Sequence, residues 1–188
     1  MTSESVIAEP VRGDTWTPPS AQERLRILNR TRTIAVVGAS SNPARPSYFV
    51  STYLLSSSTD YTVWFVNPRE KNLILGHRAY PTLADLPDPP DLVDVFRRAD
   101  DLPEVASEAV AAGAGTFWAQ LGLWNDEAAG IAFRGGLAVV MNRCVKIEHA
   151  RFAGGLHLAG FDTGVINSKR ARRPGPAGGR QEARDAGS

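Results

Sequence analysis

The stretch from Ile34 to Ser47, IAVVGASSNPARPS, joins an apolar run to a loop of small residues and then to a proline suited to the first turn of a helix. A loop of Gly38, Ala39, Ser40 and Asn42 lets backbone N–H groups approach an anion. The helix behind it adds its positive N-terminal dipole, and Arg45 and Ser47 stand at the junction. That is the chemistry of a phosphate cradle. The competing reading is a tight strand-to-helix turn that binds nothing. One glycine stands where the dinucleotide fingerprint G-x-G-x-x-G has three, which weighs against NAD.

A second group of residues follows the apolar run Thr62–Val66. Dinucleotide sites for an unmodified ribose place Asp or Glu at this point, whereas Asn67-Pro68-Arg69 offers a neutral residue and then a cation. A guanidinium there suits an adenosine nucleotide with an extra ribose phosphate, either NADP or coenzyme A. Alternatively, Arg69 pairs at the surface with Glu70 or Asp60. Phe96-Arg97-Arg98 adds two cations that either face phosphates or are neutralised by Asp100 and Asp101. Gln120 and Asn125 supply hydrogen-bonding side chains around Gly122, which permits close backbone approach.

Residues able to do covalent or acid–base work are few. Cys144 lies between Arg143 and Lys146, cations that would lower its pKa, yet a lone cysteine beside an apolar strand is more often structural. His149 has no second His or Cys at ligand spacing, so no metal site is expected. His77 and His157 have no identifiable partners, and nothing marks Asp91 and Asp94 as an acid–base pair.

These residues matter only if the chain positions them, and its patterning supplies the elements. Ser20 and Glu23 form a capping box for a helix ending near Asn29. Strands are expected at Thr33–Val37, Thr62–Val66, Arg78–Tyr80, Leu92–Phe96, Thr116–Ala119 and Leu137–Met141. Helices are expected from Pro46, with Phe49, Val50, Tyr53 and Leu54 on one face, after Asp101, and from Asn125 to Phe133. Strands alternating with helices imply right-handed crossovers and a doubly wound, mainly parallel Rossmann-like α/β sheet. Such sheets bind ligands beyond the carboxyl ends of their strands, where the residues named above fall.

Composition bounds the rest. The chain has 188 residues, 43% of them hydrophobic, enough for one domain, read here as 20–167 between a flexible arm (1–19) and a disordered basic tail (168–188). The tail carries six basic and two acidic residues, or +4, which leaves −3 for the other 167 and argues against a broad nucleic-acid surface. One cysteine excludes a disulfide framework, and no signal peptide or membrane-length apolar run is apparent, so a soluble cytoplasmic protein is expected.

In this order, VVGASSNPARPSYFVSTYLL, VNPREKNLILGHRAYPTLADLP, DLVDVFRRADDLPEVASEAVAAGAGTFWAQLGLWNDEAA and VVMNRCVKIEHARF resemble the small stand-alone CoA-binding proteins. Their fold is similar to that of the N-terminal domain of the succinyl-CoA synthetase α subunit. The resemblance covers about residues 20–155. It implies a coenzyme A or acyl-CoA ligand, with Gly38, Ala39, Ser40, Asn42, Arg45 and Ser47 at its phosphates and Asn67, Pro68 and Arg69 at the nucleotide edge. Phe96, Arg97, Gln120 and Gly122 would line the remainder. The chain stops where the synthetase continues into its phosphohistidine domain, so ligase catalysis is not expected to carry over. Alternatives are an NADP-dependent oxidoreductase, for which no second domain is evident, and an interaction scaffold with a vestigial pocket. Monomer and homodimer both remain open.

Overall fold

Five of the six strands are apolar at almost every position, as burial on both faces of a parallel sheet requires. The computed structural model describes residues 15–56 and 59–153. In it the strands β1 (Thr33–Val37), β2 (Thr62–Val66), β3 (Ala79–Tyr80), β4 (Leu92–Val95), β5 (Thr116–Ala119) and β6 (Ala138–Val140) form one parallel sheet in the order β3-β2-β1-β4-β5-β6. The order reverses between β1 and β4, the point at which such sheets open a crevice at their carboxyl ends. The chain is therefore a Rossmann-like α/β domain.

Successive residues of each strand face opposite layers. Ala35, Val37, Val93, Val95, Phe117 and Val139 pack against helices α3 (Leu102–Ala111) and α4 (Asp126–Arg134). Ile34, Val36, Phe65, Leu92, Trp118 and Val140 pack against α1 (Ala21–Arg30), α2 (Pro46–Leu54) and α5 (Val145–Ala153). The capping box at Ser20 and Glu23 is present, and Pro46 occupies the first turn of α2. Asn125 caps α4 by accepting from Ala128 N–H at 2.9 Å.

The differences from the sequence reading are local. Three strands are shorter than expected: β3 lacks Arg78, β4 lacks Phe96, and β6 lacks Leu137 and Met141. Phe96 still donates to Val37 O at 2.8 Å before the chain turns away. On α2, Val50 and Leu54 are core, but Phe49 is 61% exposed, because the row through Phe49 faces the carboxyl ends of the strands rather than the sheet. The arm expected over 1–19 is anchored near its end, where the Trp16 indole donates to Val139 O at 3.1 Å and packs against Trp124 at 5.4 Å. Residues 1–14 and 154–188, including His157 and the basic tail, lie outside the described residues, as does the end of the 20–167 domain. No described helix is long and apolar enough to cross a membrane.

Candidate functional site

The loop after β1 is shaped by Gly38. Its φ of +80° is a conformation that side chains rarely adopt, and a Cβ there would lie 2.8 Å from Phe96 O. Beyond it the loop supports itself: Asn42 N–H donates to Ser40 Oγ, Ala44 N–H to Asn42 Oδ1, and Arg45 N–H to Asn42 O. No side chain caps α2, so the positive end of the helix is left directed at the crevice. Ser47 is buried in its first turn.

Asn67, at the end of β2, ties two loops together. Its Nδ2 donates to Ala39 O at 2.8 Å and its Oδ1 accepts from Arg69 N–H at 3.0 Å. Arg69 does not pair with Glu70 or Asp60. The Glu70 carboxylate instead accepts from Ser41 N–H at 2.8 Å and Asn72 N–H at 3.1 Å, and the Ser41 bond above all holds its pKa below the ordinary value. Among the described residues the guanidinium of Arg69 has no carboxylate partner, nor has that of Arg45. Arg97 and Arg98, after β4, share Asp101 at 3.4 and 3.2 Å. Both therefore have a carboxylate neighbour, and both line the crevice.

The crevice is a cleft of about 840 Å³ across the carboxyl ends of β1, β2, β4 and β5, within the range of small-molecule sites. Of the thirteen residues expected at the ligand, it brings together Gly38, Ser40, Arg45, Ser47, Asn67, Arg69, Phe96, Arg97 and Gln120. The other four do not line it. Ala39 is fully buried in the core beneath the loop, and Asn42 is occupied in the loop's internal hydrogen bonds. Pro68 is exposed beside the cleft, and Gly122, with φ +85°, turns the chain so that its N–H reaches Asn142 Oδ1 at 2.7 Å. Asn125 is likewise spent: besides the α4 cap, its Nδ2 donates to Ala99 O.

Phe49, Leu121, Leu123, Cys144 and Ile147 form an apolar end that the sequence reading did not assign to the ligand. Phe49 and Ile147 sit in helical patterns, where an apolar residue reads as core. Leu121 and Leu123 directly follow a strand, the signal that could have found them. Lys146 Nζ lies 3.6 Å from the Phe49 ring centroid and steadies it.

Beneath this end Asp94, in mid-β4, is completely buried. Its Oδ1 accepts from Gln120 Nε2 at 2.6 Å, and its Oδ2 has no partner. Burial, against the opposing effect of the Gln120 bond, pushes its carboxyl up to about 8, so it is largely neutral at pH 7. His149 bonds through Nδ1 to Tyr53 Oη at 2.8 Å, and burial pushes its imidazole below the ordinary value. His77 packs edge-on against Phe65. Among the described residues no group of His, Cys, Asp and Glu is placed to hold a metal ion.

A family model described as a CoA binding domain matches residues 32–150. A curated relative, the uncharacterized protein YneT of Bacillus subtilis (strain 168), is 41% identical over 132 residues, which are 70% of this chain and 96% of the relative. The solved structure of a hypothetical protein from Pyrococcus horikoshii OT3 superposes with a TM-score of 0.65 at 36% identity, covering 77% of this chain and 98% of that one. The apo form of the dinucleotide-forming acetyl-coenzyme A synthetase 1 of Ca. Korarchaeum cryptofilum matches with a TM-score of 0.53 at 27% identity, over 61% of this chain and 26% of the synthetase.

Proposed function

The chain belongs to the CoA binding domain family, and from that premise we propose that its cleft binds coenzyme A or an acyl-CoA, without catalysis of its own. The observation that carries the reading is the division of the cleft. Arg45 and Arg69, with no carboxylate partner among the described residues, stand at the ends of β1 and β2, while Leu121, Leu123, Cys144 and Ile147 stand beyond β5 and β6. Three strand spacings separate β2 from β5, about 14 Å. A ligand that fills both ends is extended, anionic at one end and apolar at the other. Coenzyme A, with its phosphorylated nucleotide and its long thiol-bearing arm, has that form. The glycine turn and the uncapped start of α2 fit its diphosphate, and Arg69 fits its ribose phosphate. The absence of catalysis rests on the lack of any described acid–base pair facing the cleft.

Calorimetric titration with CoA, acetyl-CoA, NADP and NAD tests this. Heat with the CoA compounds is expected; none with either, alongside clear NADP binding, overturns the reading in favour of a nicotinamide cofactor. Arg69→Ala should weaken CoA about tenfold and dephospho-CoA much less. Equal losses for both ligands place Arg69 away from the ribose phosphate.

A further inference from the structure

Asp94 is an anomaly in the sheet. It replaces what would otherwise be an unbroken apolar strand, Leu92-Val93-Asp94-Val95, and its register neighbours are Val36 and Trp118, both fully buried. A carboxyl in such a place costs stability unless it is paired, and no cation pairs with it among the described residues. Its hydrogen-bond partner is Gln120, which lines the cleft and is itself nearly buried, and its second oxygen has none. A polar group kept in the core at a cost, and bonded to a cleft residue, acts on the cleft.

The geometry indicates how. An amide has its nitrogen and oxygen on opposite branches of one planar group. Because Gln120 donates through Nε2 to Asp94, its Oε1 is not engaged by that bond, and in a residue that lines the cleft it is the acceptor left for a ligand. This acceptor follows β5, next to Leu121, three strands across the sheet from β2, which Arg69 follows. The arm of coenzyme A carries two secondary amides, whose N–H groups need acceptors once water is excluded.

We propose that Asp94 is a positioning residue for the cleft: it anchors the Gln120 amide by its nitrogen, so that the amide oxygen accepts an N–H from the amide-bearing arm of coenzyme A. The assignment rests on the coenzyme A reading and deepens it. It also separates two ligand parts, since Gln120 follows β5 whereas Arg69, assigned to the nucleotide end, follows β2.

The test is calorimetric titration of the full chain with CoA and with adenosine 3′,5′-bisphosphate, which lacks the arm. Gln120→Leu and Asp94→Val should each weaken CoA about tenfold, with bisphosphate affinity within about twofold of the unaltered chain. Asp94→Asn retains an acceptor at the same place and should bind CoA like the unaltered chain. The double variant should bind CoA no more weakly than Gln120→Leu alone, because Asp94 acts through that side chain. Additive losses, full CoA affinity in Asp94→Val, or equal losses for the bisphosphate overturn the assignment. Should the buried valine fail to fold, Gln120→Leu still decides, since unchanged CoA affinity in that variant is equally fatal. If the unaltered chain gives no CoA signal, the reading of the cleft itself falls, which is distinct from a failure of the Asp94 variants.

Discussion

Gly38 shows how one backbone position can govern the cleft. Its left-handed φ and the 2.8 Å approach of Phe96 O to where a Cβ would stand act together, and the atom that would be struck is backbone rather than the end of a flexible chain. Relief would require the loop after β1 to move away from the end of β4, and these two segments form the floor of the cleft. Gly38→Ala should therefore lower unfolding stability by about 1–3 kcal/mol and weaken CoA in the same variant. Urea unfolding followed by Trp fluorescence measures the first, calorimetry the second. An unchanged unfolding midpoint would show that the loop does not need this conformation. The Ser40 hydroxyl accepts from Asn42 N–H, which leaves its own O–H as a donor for an anion beside the backbone of the loop.

Among the elements, α5 reaches the cleft with one residue and is anchored by a contact far along the chain. It supplies Ile147, 48% exposed at the apolar end, and is held to α1 by Arg24–Glu148 at 2.8 Å, a pair with both partners buried. Arg151 adds a weaker contact to the other Glu148 oxygen at 3.4 Å. Glu148→Ala leaves Arg24 buried without its partner, and the expected cost is about 3–5 kcal/mol in urea unfolding, with weaker CoA binding as α5 loosens. Arg24→Met combined with Glu148→Leu should recover most of the stability, since the pair's own net worth is small. A loss under about 1 kcal/mol for the single variant would mean α5 is held by other contacts. The pair spans 124 residues, and nothing in the residues around Arg24 or Glu148 announces it. Strands such as Thr33-Ile34-Ala35-Val36-Val37 were legible because burial on both faces leaves only apolar choices. The loops of the site were legible because a doubly wound sheet places function after its strands. Phe49 and Ile147 were not, because a helical apolar pattern does not say which row faces the sheet and which the crevice. The meeting of Asp94 with Gln120 depends on the parallel register of β4 with β5, which spacing along the chain does not specify.

At the scale of the whole molecule, the sheet has two edges and both are blunted. β3 is two residues long, and the carbonyl of Val139 on β6 accepts from the Trp16 indole, so neither presents a long open ladder. What distinguishes the surface is the crevice instead. The formal charge of +1 is the sum of a tail at +4 and the other 167 residues at −3, and within that second part Arg45, Arg69, Arg97 and Arg98 converge on one cleft with Asp101 among them. Asp101 is bonded to Arg97 and Arg98, so the attraction for an anion falls mainly to Arg45 and Arg69 at the β1–β2 end. Both are exposed, and exposed charges are screened once the Debye length drops below their distance from the ligand charge, about 10 Å at 0.1 M salt and about 3 Å at 1 M. Raising NaCl from about 0.05 to about 0.5 M should then weaken CoA roughly three- to tenfold, with a shallower slope for dephospho-CoA, which lacks the charge assigned to Arg69. The apolar end contributes a part of the affinity that salt does not screen, so binding should level off rather than vanish as salt rises further. Identical slopes for the two ligands would mean that the extra phosphate faces solvent, and a flat profile for both would mean that the arginine end does not bind them at all.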